Sequence, residues 1–321
     1  MKPIQRIPLQ QIDLSDQTFS VNFMPDVERL RSSVKAVGFI QPVLLREKPH
    51  GYQIVSGFRR ISVAQEQGYD EIEARIFGEQ EMEDLKLFLI SLQENLTTRG
   101  LNAIEKAIAI EKLIDHFKID PLVVTREFLP LFDLETNEKI SNTFLSLARV
   151  EEEVKRYVLK EKVSRTNIRR LVALNVEDRK AVLALLTSLK LGENSLREVL
   201  TLLEEITKRN RWAARKVVDL PEMEAILTHP DLTPSQKTER VKKALMNLRY
   251  PRMSQLEEQF EKTKKELKLP SPLSLHHPLF FEGKGLRIGI QFTTLEEYRS
   301  ALSFLSSLVE KQEFQELLQE K

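Results

Sequence analysis

Gly57, Phe58, Arg59 and Arg60 stand in a row where a β-rich run gives way to a helical pattern. Glycine at such a turn lets the backbone approach an anion, the first amides of a helix have no intrahelical acceptor, and two guanidiniums neutralise phosphate charge. The row is a candidate phosphate site, although the same residue types also end strands for purely structural reasons. A second pair, Glu94 and Asn95, lies near the end of a later helical pattern. A carboxylate beside a side-chain amide suits magnesium, which keeps several waters and takes few protein ligands plus substrate phosphate. Each pair alone is a weak signal, and together they describe one metal-assisted phosphate site.

Elements must hold these residues in place. Residues 4–9 alternate as a strand, and residues 26–36 carry Val27, Leu30 and Val34 at helical spacing. Residues 43–45 and 52–55 are β-rich runs around Pro49, His50 and Gly51. A helix over 58–67 stopped by Gly68, a strand over 72–76 and a helix over 82–96 follow. Residues 1–100 are thus expected to form a small α/β domain. From 101 to 208 the pattern is helical almost throughout, marked by Ile104, Ala107 and Ile108 and later by Ile140, Phe144 and Leu147. Residues 209–269 hold Pro221, Pro230, Pro234 and Pro251 and are rich in Glu and Lys at i, i+4 spacing, which suggests a charged linker with exposed helices. In residues 270–321 a strand over 279–281, the turn Gly283, Lys284, Gly285 and the alternating Leu286, Ile288, Ile290 and Phe292 predict a hairpin. Thr294 with Glu297 forms a capping box that opens a final helix. Such a unit is small to stand alone, so a homodimer through it is expected.

Composition narrows the classes. The 321 residues contain no cysteine, which removes disulfides, thiol chemistry and cysteine-bound zinc, and the five histidines show no metal-site spacing. No run approaches the roughly 18 apolar residues of a membrane span, and the first residues lack a signal-peptide core, so a cytoplasmic protein without a membrane partner is expected. The net charge is only +1, yet from Lys160 to Asp219 there are 14 Lys and Arg against 8 Asp and Glu, ending in a basic cluster around Trp212. That patch fits nucleic acid as well as a solvated helical face.

The order of motifs resembles the ParB family. Gly38, Phe39, Ile40, Gln41, Pro42, Val43, Leu44, Leu45, Arg46 is similar to its first box. Gly51 to Arg60 with Ala64 resembles the second, written GERRxxA. Glu94, Asn95, Leu96, followed by Leu101, Asn102, Ala103, Ile104, Glu105, Lys106, Ala107, resembles the third, ENxxR and the helix after it. The helical region occupies the place of the family's helix-turn-helix domain, and the closing hairpin and helix that of its dimerisation domain.

The resemblance implies an α+β multidomain protein: a small α/β ParB/sulfiredoxin-like N-terminal domain, an all-helical helix-turn-helix middle domain and a small ββα C-terminal dimerisation domain. It implies CTP bound by Gln41, Gly57, Arg59, Arg60 and Arg99, and Mg2+ at Glu94 and Asn95. It also implies a CTP-dependent clamp on double-stranded DNA, used in chromosome or plasmid partition and associated with the nucleoid. Lys139, Ser141, Asn142 and Thr143 occupy the expected recognition helix, and Arg165, Asn167, Arg169 and Arg170 the family's second DNA-contacting segment. A ParA-type ATPase is the further partner, for which the short stretch before Ile4 leaves little room. Three departures stand out. Phe58 replaces the glutamate of the second box, so CTP hydrolysis is expected to be slow or absent, and no catalytic residue is assigned. Thr98 holds the arginine position of the third box, with Arg99 one residue late. Ser20 stands where an arginine is expected after Ile12. The alternative is a diverged ParB-like transcription regulator or adaptor without CTP turnover. A sulfiredoxin-like or nuclease-like enzyme lacks its cysteine or its cluster of acids.

Overall fold

Strands β1 (Gln5–Pro8), β2 (Ile12–Asp13), β3 (Val43–Lys48), β4 (Gly51–Ser56) and β5 (Glu71–Phe77) form one mixed sheet in the order β1-β5-β3-β4-β2. Along β5, Ile72, Ala74 and Ile76 are buried while Glu71, Glu73 and Arg75 face water, the period-two pattern of a half-covered strand. These residues join Val43, Leu45 and Ile54 in a core closed by Ile61 and Ala64 of the helix that follows β4. Helix α1 (Glu28–Val37) precedes β3, α2 spans Phe58–Glu66, and α3 (Asp84–Thr98) buries Leu87, Phe88 and Leu92. The computed structural model describes residues 3–271, 273–278 and 285–319 and divides into two units, 1–175 and 176–321.

The segment between β2 and α1 has little regular structure, yet side chains fasten it. Gln53 Nε2 donates to Asp16 Oδ2 at 2.6 Å, Ser91 Oγ to the Phe19 carbonyl at 3.2 Å, and Lys112 Nζ to the Thr18 carbonyl at 3.0 Å. Phe19 is buried, and the Arg46 guanidinium lies 5.3 Å from its ring centre. The chain is therefore already fixed when it reaches Asn22.

Still in the first unit, α4 (Ala103–Glu111) begins at Asn102, whose side chain accepts from the Ile104 and Glu105 amides while Glu105 returns a bond to the Asn102 N–H. It runs on into a π-helical turn, Lys112–His116. A short helix α5 (Pro121–Val123) continues through a π turn, Val124–Phe128, and a 3-10 turn, Pro130–Phe132, which Asp133 ends at φ 55°. Next come α6 (Glu138–Arg149), capped by Asn137, α7 (Glu152–Lys160) and α8 (Arg165–Val172), capped by Ser164. Helix α6 packs against both α4 and α8.

The second unit contains α9 (Val176–Thr187), α10 (Glu193–Asn210), α11 (Ala214–Val218), α12 (Pro221–Thr228), α13 (Pro234–Arg249) and α14 (Pro251–Glu266). Strands β6 (Leu273–His276) and β7 (Arg287–Ile290) pair antiparallel, and α15 (Leu295–Leu308) and α16 (Gln312–Gln319) end the chain. The fold is mixed α+β, as expected. The segment expected as linker and exposed helices differs: Val217, Met223, Val241 and Leu245 are buried. Pro221, Pro234 and Pro251 start helices α12, α13 and α14, where a missing N–H costs nothing, rather than interrupting them. Phe260 and Leu267 belong to a small core with Leu275 and Leu308, so the C-terminal core begins inside the expected linker. The capping box of Thr294 and Glu297 opens α15 as expected. The expected strand over 279–281 and the turn residues Gly283 and Lys284 lie outside the described residues.

Candidate nucleotide site and nucleic-acid face

Gly57 caps α2 at φ 104°, and a Cβ built there meets Val43 Cγ1 at 2.6 Å. Both the dihedral and the close approach require glycine. The turn directs the two following arginines in different ways. Arg60 reaches the carbonyls of Gln41 at 3.1 Å and Pro42 at 2.7 Å and pairs with Glu94 of α3. Arg59 donates from Nε to Asn22 Oδ1 at 3.0 Å and from Nη2 to Glu105 Oε1 at 2.8 Å.

Arg99 joins the same cluster although it comes one residue late. Helix α3 stops at Thr98, Arg99 takes φ −143° as its C-cap, and the side chain turns back. Its Nη1 lies 2.7 Å from Glu105 Oε2, its Nη2 donates to Asn22 Oδ1 at 3.3 Å and its Nε to Asn95 Oδ1 at 2.9 Å. One buried carboxylate, Glu105 at 1% exposure, thus holds two guanidiniums. Burial, then the charge of Arg99, pulls the Arg59 guanidinium below its ordinary value, while Glu105 opposes both.

Glu94 is paired through one carboxylate oxygen and not through the other. Its Oε1 faces Arg60, and its Oε2 is buried with no hydrogen-bond partner. A buried carboxylate oxygen left unsatisfied is costly, and a divalent cation would satisfy it. Among the described residues no cluster of three or more His, Cys, Asp or Glu could hold a metal by itself. One carboxylate suits magnesium, which takes few protein ligands, better than a metal caged by protein. Asn95 departs from its expected role at the metal: its Nδ2 donates to the Ser91 carbonyl at 2.8 Å and its Oδ1 accepts from Arg99. It ties Arg99 to α3.

Sequence reasoning brought Gly57, Arg59, Arg60, Arg99 and Glu94 to one place, and the structure does the same. Gln41 lies beside them through its backbone carbonyl, with its side chain exposed. Two residues were missed. Asn22 bridges Arg59 and Arg99, and Ser20, where an arginine was expected, orients it by accepting from the Asn22 amide at 3.3 Å. Glu105 carries the capping-box signal, which announces a helix start and hides its second job. Phe58 packs against the sheet core, so no polar group extends from that position.

The nucleic-acid expectation divides. Lys139 and Asn142 are exposed on α6, and Arg165 and Arg169 are exposed on α8, with Arg170 half-buried. Ser141, Thr143 and Asn167 are buried at 3%, 8% and 0% exposure, which corrects their assignment as base or backbone contacts. Helical periodicity explains it: Ser141 and Thr143 flank the face that carries Phe144, Leu147 and Ala148 into the core, and Asn167 precedes buried Ile168. Glu135 pairs with Arg165 at 3.0 Å, so an acid borders the exposed face.

Residues 1–96 match the family model of the ParB N-terminal domain. The nucleoid occlusion protein of Bacillus thuringiensis (strain Al Hakam) is 29% identical over 220 residues, covering 67% of this chain and 72% of that protein. The nucleoid occlusion protein of Bacillus anthracis (strain A0248) matches to the same extent, 29% over 220 residues with 67% and 72% covered. Among solved structures, the C-terminally truncated chromosome-partitioning protein ParB from Caulobacter crescentus complexed with CTP-gamma-S shares 24% identity at a TM-score of 0.27, covering 56% of this chain and 99% of that one. The C2221 form of the Pnob8-like ParB-N domain shares 16% identity at a TM-score of 0.38, covering 70% and 96%. Residues 1–96 thus match the ParB N-terminal domain, and over 220 residues the chain is similar to nucleoid occlusion proteins.

Proposed function

We propose that this chain is a DNA-binding protein of the partition or nucleoid occlusion kind, acting as a dimer whose N-terminal domain binds CTP with magnesium. One observation carries the nucleotide reading: Arg59, Arg60 and Arg99 gather beyond the Gly57 turn, beside a Glu94 oxygen that is buried without a partner. Three guanidiniums and a helix start suit a polyphosphate, and Glu94 suits a cation that bridges to it. When bound, nucleotide and metal would be held by this chain's residues: Arg59, Arg60 and Arg99 at the phosphates and Glu94 at the cation. Phe58 is spent on core packing, so the position has no carboxylate to activate water, and binding with little turnover is the expected behaviour. The packing of Phe58 also favours the second reading, a diverged ParB-like transcription regulator or adaptor that binds DNA or protein partners without CTP turnover.

Lys139, Asn142, Arg165 and Arg169, which are exposed, and half-buried Arg170 are the residues of the proposed DNA face, and association with the nucleoid would follow from DNA binding. A ParA-type ATPase is the partner that the family resemblance adds. The test is isothermal titration of the full chain with CTP, ATP, GTP and UTP in magnesium, with and without DNA carrying sites found by genome-wide occupancy. Selective heat with CTP is expected. No nucleotide binding under either condition overturns the nucleotide reading.

A further inference from the structure

Glu105 occupies an unusual position: it is third in the first turn of α4, it is 1% exposed, and it carries three separate attachments. Oε2 accepts from the Asn102 N–H at 3.1 Å and from Arg99 Nη1 at 2.7 Å, and Oε1 accepts from Arg59 Nη2 at 2.8 Å. A cap alone explains the first bond. It does not explain why both guanidiniums of the candidate phosphate site converge on the same buried carboxylate. Two arginines this close repel each other, and a carboxylate out of water is stable only when fully paired. The three groups therefore hold one geometry or lose it together. The carboxylate belongs to α4, and α4 packs along α6, the helix that presents Lys139 and Asn142.

We propose that Glu105 is a positioning residue that fixes Arg59 and Arg99 for a polyphosphate ligand and fastens them to α4, so that occupancy of the nucleotide site is felt at α6. This rests on the nucleotide reading above. Asn22 plays the secondary part, its Oδ1 accepting from both guanidiniums. A polyphosphate that draws either arginine outward pulls on the first turn of α4, because the link is made of charge-assisted bonds of 2.7 and 2.8 Å. A cap residue without this link would transmit nothing.

The test uses the full-length chain with Glu105→Gln, which keeps an acceptor for the Asn102 amide and removes the charge. Magnesium CTP and inorganic tripolyphosphate are the probes. Binding of both is expected to weaken about tenfold, as for the loss of a hydrogen bond to a charged group. Asn102→Ala, which removes only the cap, is expected to change binding less than about twofold, with a stability loss typical of caps. Combining Glu105→Gln with Arg99→Ala should be no worse than the weaker-binding single variant, since both break one unit. Independent losses that multiply overturn the proposal.

Hydrogen exchange gives a readout free of activity. In the ligand-free protein, Arg59→Ala with Arg99→Ala should loosen the amides of residues 104–110 as much as Glu105→Gln does, and ligand should alter exchange in α4 and α6 only in the wild type. If the arginine variants leave α4 unchanged, the link does not exist. A wild type that binds neither probe overturns the nucleotide reading, whereas binding with additive variants overturns only the role given to Glu105.

Discussion

Arg60 crosses from α2 to the Glu94 carboxylate on α3, and the second oxygen of that carboxylate is buried without a hydrogen-bond partner. One half of the charge is satisfied by protein and the other half is not. Glu94→Gln should therefore leave nucleotide contacts through the arginines largely intact while reducing the gain that magnesium gives to CTP binding by about tenfold. Titrations at stepped magnesium concentrations measure this. An undiminished magnesium effect places the metal elsewhere.

Gly57→Ala tests the turn. Alanine at φ 104° is strained, and its Cβ would lie 2.6 Å from Val43 Cγ1 and 2.9 Å from Val43 Cβ. The left-handed backbone costs about 1–2 kcal/mol and the overpacking about 1–3 kcal/mol, so a loss of roughly 2–5 kcal/mol in urea unfolding is expected. Val43→Ala in the same chain should remove only the Cγ1 contact, because the alanine Cβ stays at 2.9 Å, so it relieves part of the crowding and leaves the backbone part. A double-mutant cycle with no coupling between the two positions would show that the Cγ1 contact is not part of the cost.

The sheet and the phosphate turn were legible because they rest on local rules: alternation in β5 and a glycine between strand and helix. Glu105 and Asn22 were not, because their roles depend on contacts with Arg59, 46 and 37 residues away in the chain. The inward turn of Ser141, Thr143 and Asn167 was lost for a different reason. Their place in the DNA-contacting segments that the resemblance implies suggested a nucleic-acid face, whereas helical phase against Phe144, Leu147 and Ile168 decided burial. The same conflict misjudged the segment 209–269, where charge and proline masked helices with buried apolar stripes.

Lys112 supplies a pH signature. Burial lowers its pKa from an ordinary 10.5 to about 8, against the opposing pull of Asp16 and Glu111. Between pH 8 and 10.5 the unfolded chain binds more protons at this residue than the folded one, so its contribution to stability rises with pH across that window and is smallest below it. The difference in unfolding free energy between wild type and Lys112→Gln should change in favour of wild type as pH increases from 7.5 to 10. A flat difference would mean that the lysine is solvated.

DNA contact should follow exposure. Arg165→Ala and Arg169→Ala are each expected to weaken DNA binding and to reduce the salt slope by about one if each meets a phosphate. Asn142→Ala should alter discrimination among sequences by about 1–3 kcal/mol if it reads a base edge. Ser141→Ala should change neither. Fluorescence anisotropy across a salt series separates these outcomes, and a specificity change in Ser141→Ala would contradict the buried assignment.

The proposed dimer has a candidate face to test. Leu295, Leu302 and Val309 follow one another at seven-residue intervals on and just beyond α15, and they are 65%, 42% and 57% exposed. Ala301 and Leu308, one residue earlier in each interval, are buried. A repeat of seven keeps the exposed residues on one stripe of the helix, which is the pattern of a seam between helices. Phe292, 50% exposed just before the helix, extends the apolar surface. Leu302→Glu is therefore expected to give a folded monomer in light scattering, because the side chain it replaces lies outside the core of Phe260, Leu267, Leu275 and Leu308. Removing residues 270–321 should also give a monomer, but with lower stability, since it takes Leu275 and Leu308 away from Phe260 and Leu267. If Leu302→Glu stays a tight dimer, this stripe is not the seam; if the truncated chain does as well, the dimer is held elsewhere in the chain.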